Sequence, residues 1–402
     1  MRVLVANIYY PPVAFGGATI VAEQTTTLLA RMPGVECLVL CLDGAQPRAN
    51  TFLTRYVWDG VDVIATSPAA DPGGPSYSKP GIAALNRPII EQFRPDVALI
   101  HCIQDFGAQF VADLREAGIP VAIFVHDAWW ICERQFMINS SEAYCFQTAI
   151  DLNVCRYCVN DIDETRTRDA YLRAILNQAD ARLFPSMFFR DLHVTSGVTA
   201  EASIVVKNGV LLPRTPAKAP QTGGCRQVRF GFLGGLGQVK GAALVEAVFK
   251  TLPRNDYELV CVDNATNLGR RSVGFSSWKC TGTLRIRPGF TQRTIDEFYE
   301  EIDVLLCPSQ WKESFGLAVR EALIRHKWVI VTAAGGIAED VVPRVNGTVI
   351  PLTLDPEFLM EAVLDCFDRD WSQYENPYVS QIRTFAEQSE ELYRVLCDLN
   401  KR

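Results

Sequence analysis

Short apolar runs alternate with stretches of helical period along most of the chain. Val3 to Ile8, Cys37 to Leu42, Val97 to His101 and Val121 to Val125 read as buried strands, and Arg182 to Phe184 and Ser203 to Val206 as further ones. Between them, Thr19 to Arg31, Phe110 to Ala117 and Arg166 to Gln178 carry helical patterns, the second closed by Gly118 and Pro120. Near-continuous apolar strands separated by helices belong to a parallel sheet covered on both faces.

The pattern breaks and then restarts. Leu211 to Gly224 holds three prolines and two glycines in fourteen residues, a composition that suits an exposed linker. A strand, Val228 to Leu233, then leads through a glycine loop into a helix over Ala242 to Thr251. Strands at Glu258 to Val262, Val304 to Cys307, Val329 to Thr332 and Thr348 to Ile350 follow. Val379 to Leu399 is amphipathic, with Ile382, Phe385, Leu392, Val395 and Leu396 at helical spacing. The expected organisation is an N-terminal Rossmann-like domain over 1–210, a linker over 211–224, a second such domain over 225–378, and a closing helix over 379–402. Open parallel sheets bind ligands beyond the carboxyl ends of their strands, so two of them are expected to face a cleft between the domains.

Composition narrows the partners. The chain has 402 residues and a formal net charge of −7, long enough for two full cores and too acidic to favour nucleic acid as the main partner. Met1 opens directly onto a strand with no signal-peptide pattern, and no apolar run approaches the roughly 18 residues of a membrane span, so a cytoplasmic protein is expected. Peripheral membrane association stays open. Of thirteen cysteines, Cys37, Cys41, Cys102, Cys261 and Cys307 sit singly in apolar strands, and the odd count argues against a disulfide framework.

The chemistry concentrates in Asp303 to Glu321, D-V-L-L-C-P-S-Q-W-K-E-S-F-G-L-A-V-R-E. A buried strand ends near Pro308, a polar loop carries Glu313, and a helix begins near Gly316. The backbone amides of Ser314, Phe315, Gly316 and Leu317 then stand at a helix N-terminus, where unpaired donors and the dipole favour a phosphate. Glu313 and Glu321 flank that position, and a carboxylate can accept from neighbouring hydroxyls of the kind a sugar presents. Taken alone, the pair also reads as a loop charge and a helix-surface residue.

The stretch E-S-F-G-L-A-V-R-E resembles the E-x7-E motif of retaining glycosyltransferases of the GT-B fold, family four. The likeness extends over nearly the whole chain: Tyr10 to Gly17, Arg94 to His101, the strand ending in His126 and Asp127, Asn208 to Val210, and Gly231 to Gly241 all look like that family's segments. The resemblance implies that Glu313 binds donor-sugar hydroxyls, that Glu321 binds the ribose, and that the backbone of Phe315, Gly316 and Leu317 holds a diphosphate. It puts Gly16 and Gly17 beside the diphosphate and acceptor, and His126 beside the donor sugar. It also implies a nucleotide-sugar donor, a saccharide or lipid-linked acceptor and no required cofactor or metal ion.

Other readings stand beside these. The loop G-G-L-G-Q-V-K-G is neither a phosphate-binding Walker sequence nor a clean dinucleotide fingerprint, since Lys240 precedes Gly241 and replaces the third glycine. A lysine there can neutralise charge on a departing diphosphate, or be a surface residue at a helix start. The family's usual arginine is Gly235 here, leaving Arg320 or Lys312 as substitutes. Gly16 and Gly17 could form a plain tight turn, His126 could be a satisfied core residue, and His101 reads as structural. Cys132, Cys145, Cys155 and Cys158 include one C-x2-C pair, consistent with a structural zinc or iron–sulfur site or with reduced thiols in a loop. Asp161-Ile162-Asp163 reads as a helix cap. Two rivals remain: a nicotinamide dehydrogenase using the Gly234 loop with Asp263 on the ribose, and a non-catalytic sugar-nucleotide-binding protein on the same fold.

Overall fold

A computed structural model of the chain describes residues 1–13, 16–44, 51–67, 75, 77–214, 227–233, 237–264, 266, 272 and 278–401. Gly234, Gly235 and most of the expected linker lie outside these. The chain divides into two compact units. One comprises Met1–Ser140, Phe146–Gly209 and Phe385–Arg402; the other comprises Ser141–Cys145 and Val210–Thr384.

The first unit is built on an eight-stranded sheet. Its strands are β1 (Arg2–Ala6), β2 (Glu36–Leu42), β3 (Phe52–Trp58), β4 (Val61–Ser67), β5 (Val97–Ile100), β6 (Val121–Phe124), β7 (Ala181–Phe184) and β8 (Ser203–Val205), in the order β3-β4-β2-β1-β5-β6-β7-β8. Every pairing is parallel except β3 with β4. That hairpin was not expected. It turns on Asp59 and Gly60, both at positive φ (49° and 84°), the backbone that an Asp-Gly pair supplies to a two-residue hairpin. The central strands read as apolar runs because they are buried on both faces: Val3, Val5, Leu99 and Phe124 are all inaccessible.

The amphipathic segment expected over 379–399 is two elements. A 3-10 turn at Val379–Gln381 ends in extended backbone at Ile382, and a separate helix spans Phe385–Asn400. This helix packs on the helix Gly16–Ala30 and sends Leu392, Leu396 and Leu399 into the first unit's core. Gln388 locks it there, accepting from the Gly209 amide at 2.7 Å and donating to Asn208 at 3.3 Å. Its amphipathic stripe is therefore a core face rather than a partner-binding one.

The second unit holds a six-stranded, wholly parallel sheet. Its strands are β9 (Val228–Phe232), β10 (Tyr257–Asp263), β11 (Thr283–Pro288), β12 (Val304–Cys307), β13 (Trp328–Thr332) and β14 (Gly347–Ile350), ordered β11-β10-β9-β12-β13-β14. β9 packs closely on what covers it: a Cβ at Gly231 would stand 2.7 Å from the Ile302 side chain. The chain leaves β9 towards β10 on one side and returns to β12 on the other. Strand order thus reverses between β9 and β12, and the crevice beyond their carboxyl ends is where such sheets take ligands. In the first sheet the same reversal falls between β1 and β5. No described helix is long and apolar enough to cross a membrane.

Candidate functional site

The loops beyond β9 and β12 carry the residues singled out in the sequence, and short-range packing fixes them against each other. After β9, a 3-10 turn at Gln238–Lys240 leads into the helix Ala242–Thr251 through Gly241 at φ 79°. Only glycine serves at Gly241, because a Cβ would lie 2.2 Å from the Pro308 carbonyl oxygen. The Gln310 amide donates to the Val239 carbonyl at 2.8 Å, closing the two loops.

Glu313 is the centre of this arrangement. Its backbone pairs with Gly335, accepting from the Gly336 amide and donating to Ala334, both at 2.9 Å, so the loop after β13 sets its direction. Oε1 accepts from Lys240 Nζ at 2.7 Å and from the Ser309 hydroxyl. Oε2 has no partner among the described residues and is not sealed from solvent. Burial alone would push this carboxyl up; the Lys240 ammonium, its hydrogen bond and that of Ser309 outweigh it and hold the group below the ordinary carboxylate range. Lys240 answers in kind: burial lowers its pKa, the Glu313 charge and hydrogen bond raise it further, and the net direction is up. Both groups are therefore ionised at neutral pH.

Gly316, at φ 82°, ends the loop, and the helix Leu317–Leu323 begins directly after it. A Cβ at Gly316 would meet Ile337 at 2.6 Å. The first amides of this short helix have no intrahelical acceptors. On its inner face Glu321 is 6% exposed and accepts from Gln292 Nε2 at 3.1 Å and from the Tyr299 hydroxyl at 3.2 Å. Burial raises its carboxyl above the ordinary range despite these bonds and the nearby Arg325. The single Tyr299 proton also faces the Ala318 carbonyl at 2.9 Å.

Arg320 is not a phosphate ligand in waiting. It is 1% exposed, lies over the Phe315 ring, and donates to Asp340 (2.7 Å), Ile337 O (3.0 Å), Gly336 O (2.8 Å) and Phe315 O. It ties the Glu313 loop to the loop after β13. Lys312 sits 5.9 Å from the Tyr144 ring centroid. Ser309, Gln292 and Tyr299 were missed by sequence reasoning, since nothing in their spacing marks them as partners of the two glutamates.

In the first unit, Gly16 (φ 75°) and Gly17 open the helix Gly16–Ala30, both exposed. His126, just beyond β6, has its Nε2 2.8 Å from Nδ1 of His101 and stacks on Phe124. Asp127 is engaged elsewhere, accepting from the Trp129 amide and from the side-chain amides of Gln104 and Gln135 at 2.7–2.9 Å.

The remaining candidates resolve as structure. No group of three or more His, Cys, Asp or Glu side chains that could hold a metal occurs among the described residues, so Cys132, Cys145, Cys155 and Cys158 do not assemble a zinc or iron–sulfur site there. Cys155 instead accepts from Gln147 Nε2 at 3.6 Å. Asp161 accepts from the amides of Asp163 and Glu164, as a helix cap does. Asp263, the ribose acceptor of the dehydrogenase rival, has both carboxylate oxygens taken by Ser272 at 2.6 Å.

Two largely parallel sheets, with basic and acidic side chains converging at the strand-order reversal of the second, define a doubly wound α/β protein with a candidate ligand site at that reversal. Residues 16–209 match the family model of the glycosyl transferase 4-like domain, and residues 226–377 that of the glycosyl transferases group 1. Together they account for most of the chain, which belongs to the glycosyltransferases of the GT-B fold. Solved structures agree on the fold. Sucrose-phosphate synthase from Thermosynechococcus elongatus is 16% identical with a TM-score of 0.69, each chain covering 99% of the other. A glycosyltransferase from Rickettsia africae is 13% identical with a TM-score of 0.67, over 100% of this chain and 99% of that one. Anabaena HepE in complex with UDP and glucose is 16% identical with a TM-score of 0.63, over 99% of both. Among curated proteins, an uncharacterized 42.6 kDa protein in the cps region of Klebsiella pneumoniae is 38% identical over 45 residues, 11% of this chain. The match spans only 12% of that relative's length.

Proposed function

We propose that this chain is a retaining glycosyltransferase that moves a sugar from a nucleoside diphosphate sugar onto a saccharide or lipid-linked acceptor, in polysaccharide or glycoconjugate assembly. The observation that carries this reading is Glu313. One of its oxygens is anchored by Lys240 and Ser309, and the other has no partner among the described residues and is not sealed from solvent at the strand-order reversal. An ionised acceptor held in that way suits the hydroxyls of a donor sugar. Glu321, on the helix that starts after Gly316, takes the ribose, and the amides of Ser314, Phe315, Gly316 and Leu317 take the diphosphate. Gly16 and Gly17 are assigned to diphosphate binding on the family resemblance alone. His126 joins the set on the family resemblance. Anabaena HepE is described in complex with UDP and glucose, and a starch synthase from Arabidopsis thaliana with ADP and acarbose; both support a nucleoside diphosphate as the leaving group.

In this reading the acceptor oxygen attacks the anomeric carbon on the face that the diphosphate leaves. The carbon–phosphate oxygen bond breaks, and the acceptor's proton passes to the departing phosphate. Lys240 supplies the cation that stabilises the growing charge, so no divalent ion is required. Incubation with UDP-, GDP- and ADP-linked sugars, following nucleoside diphosphate release and the anomeric configuration of the product, tests the proposal. Release with retained configuration supports it. Inverted product would overturn the retaining mechanism, and tight binding without turnover would leave a sugar-nucleotide-binding protein on the same fold.

A further inference from the structure

Adjacent parallel strands deliver two histidines to one place. β5 pairs with β6 in register Ile100 to Ile123, so His101, the first residue past β5, and His126, the second past β6, emerge side by side. Nδ1 of His101 lies 2.8 Å from Nε2 of His126, with the rings 14° from parallel and 5.1 Å between centroids. The Phe124 ring backs His126 at 4.6 Å. The His101 amide donates to the Ala6 carbonyl at 2.8 Å, which fixes the residue from below. Burial drives the His101 ring down to about 3, and burial with the His101 charge drives His126 well below its ordinary value. Two neutral rings share one proton in this contact.

That proton has two placements, and they differ at the far ends of the pair. If His126 donates from Nε2, His101 must carry its own proton on Nε2, an atom that is buried and meets no acceptor. An orphaned buried N–H is the rarer and costlier defect. If His101 donates from Nδ1, its Nε2 keeps only a bare lone pair. The proton of His126 then stands on Nδ1, which has no partner among the described residues and is not sealed from solvent.

We propose that His101 is a positioning residue: by donating Nδ1–H to Nε2 of His126 it fixes His126 in the Nδ1–H tautomer, so that His126 offers ligands a neutral hydrogen-bond donor and not a base. The ligand group it fits is an oxygen acceptor, a sugar hydroxyl or a phosphate oxygen. The catalytic consequence rests on the transferase reading; the tautomer does not.

The chain has four histidines, so two-bond proton–nitrogen correlation on the labelled full chain resolves each ring. The expected result is a pyrrole-like Nδ1 and a pyridine-like Nε2 for His126, assigned with His126→Gln. His101→Asn keeps an amide donor and should preserve both the tautomer and turnover. His101→Phe should release His126 towards the Nε2–H form and lower kcat by about 2- to 10-fold, the worth of one hydrogen bond, with KM less affected. A wild-type His126 protonated on Nε2 overturns the proposal, even where His101→Phe fails to fold. So does His101→Phe with the wild-type tautomer and rates. Because the spectrum needs no substrate, it decides the tautomer in a chain for which every transfer assay fails, and the two failures are told apart.

Discussion

Replacing Glu313 by glutamine separates the anchored oxygen from the presented one. The glutamine carbonyl can take the Oε1 position and keep the bonds from Lys240 and Ser309. The amide nitrogen then stands where Oε2 was, and an acceptor becomes a donor. Lys240 is 41% exposed, so losing its ionic partner costs no more than about 1 kcal/mol of stability. A hydrogen bond from a ligand hydroxyl to a carboxylate contributes about 1.5–3 kcal/mol. Each such bond lost therefore lowers kcat/KM by roughly 10- to 150-fold. The assay is initial-rate release of nucleoside diphosphate from the active donor, with the melting temperature measured in parallel. The expected outcome is that loss with melting within a few degrees of wild type. A variant that keeps kcat/KM within about threefold refutes the role given to Glu313.

Three further outcomes follow from the same geometry. Glu321→Gln removes a charge that burial disfavours and gives Tyr299 a neutral donor, so at pH 7 the free protein should melt at the same temperature or higher while nucleotide affinity falls; lower melting would contradict the buried-charge account. Arg320→Ala removes the four hydrogen bonds that Arg320 gives to Asp340 and three carbonyls, and should cost about 3–5 kcal/mol, on the order of 10 °C in the melting of the second unit by calorimetry. The Lys240–Glu313 pair has a defined pH window. The depressed Glu313 contributes stability present above its unfolded value near 4.5 and lost as pH falls through its folded value. The raised Lys240 contributes stability present below 10.5 and lost as pH rises through its folded value. The stability difference between wild type and Lys240→Met should thus stay flat from about pH 5 to pH 10 and shrink on either side, as denaturant titration can check.

The α/β architecture was legible because strands buried on both faces must be apolar throughout, and both sheets announce themselves that way. The β3–β4 hairpin was not. Phe52 and Leu53 are about half exposed, so β3 lacks a buried apolar run, although its Asp-Gly turn was there to be read. The stop at Ile382 was hidden because the residues on both sides keep a helical spacing while packing into different units. Sequence brought Glu313, Gly316 and Glu321 into view as a strand–loop–helix pattern, but not which way their neighbours point. Arg320 and Lys240 are both bases near that loop; one is sealed under Phe315 and Asp340 while the other meets the carboxylate. Such a difference depends on Gly241 and Gly335 bringing distant loops into contact, which no local pattern records. The four cysteines show the converse, since the C-x2-C spacing falls on a short helix and turn that, among the described residues, assembles no metal-ligand group.

Melting in the presence of UDP-, GDP- and ADP-sugars measures directly whether a nucleotide sugar is held between Glu313 and Glu321. A ligand that binds the native state at 100 times its dissociation constant stabilises it by about 2.7 kcal/mol. At least one donor should raise the melting temperature of wild type by several degrees, and the Glu313→Ala, Glu321→Ala double variant should show no shift at the same concentration. An equal shift in the double variant would place the nucleotide elsewhere and contradict the assignment.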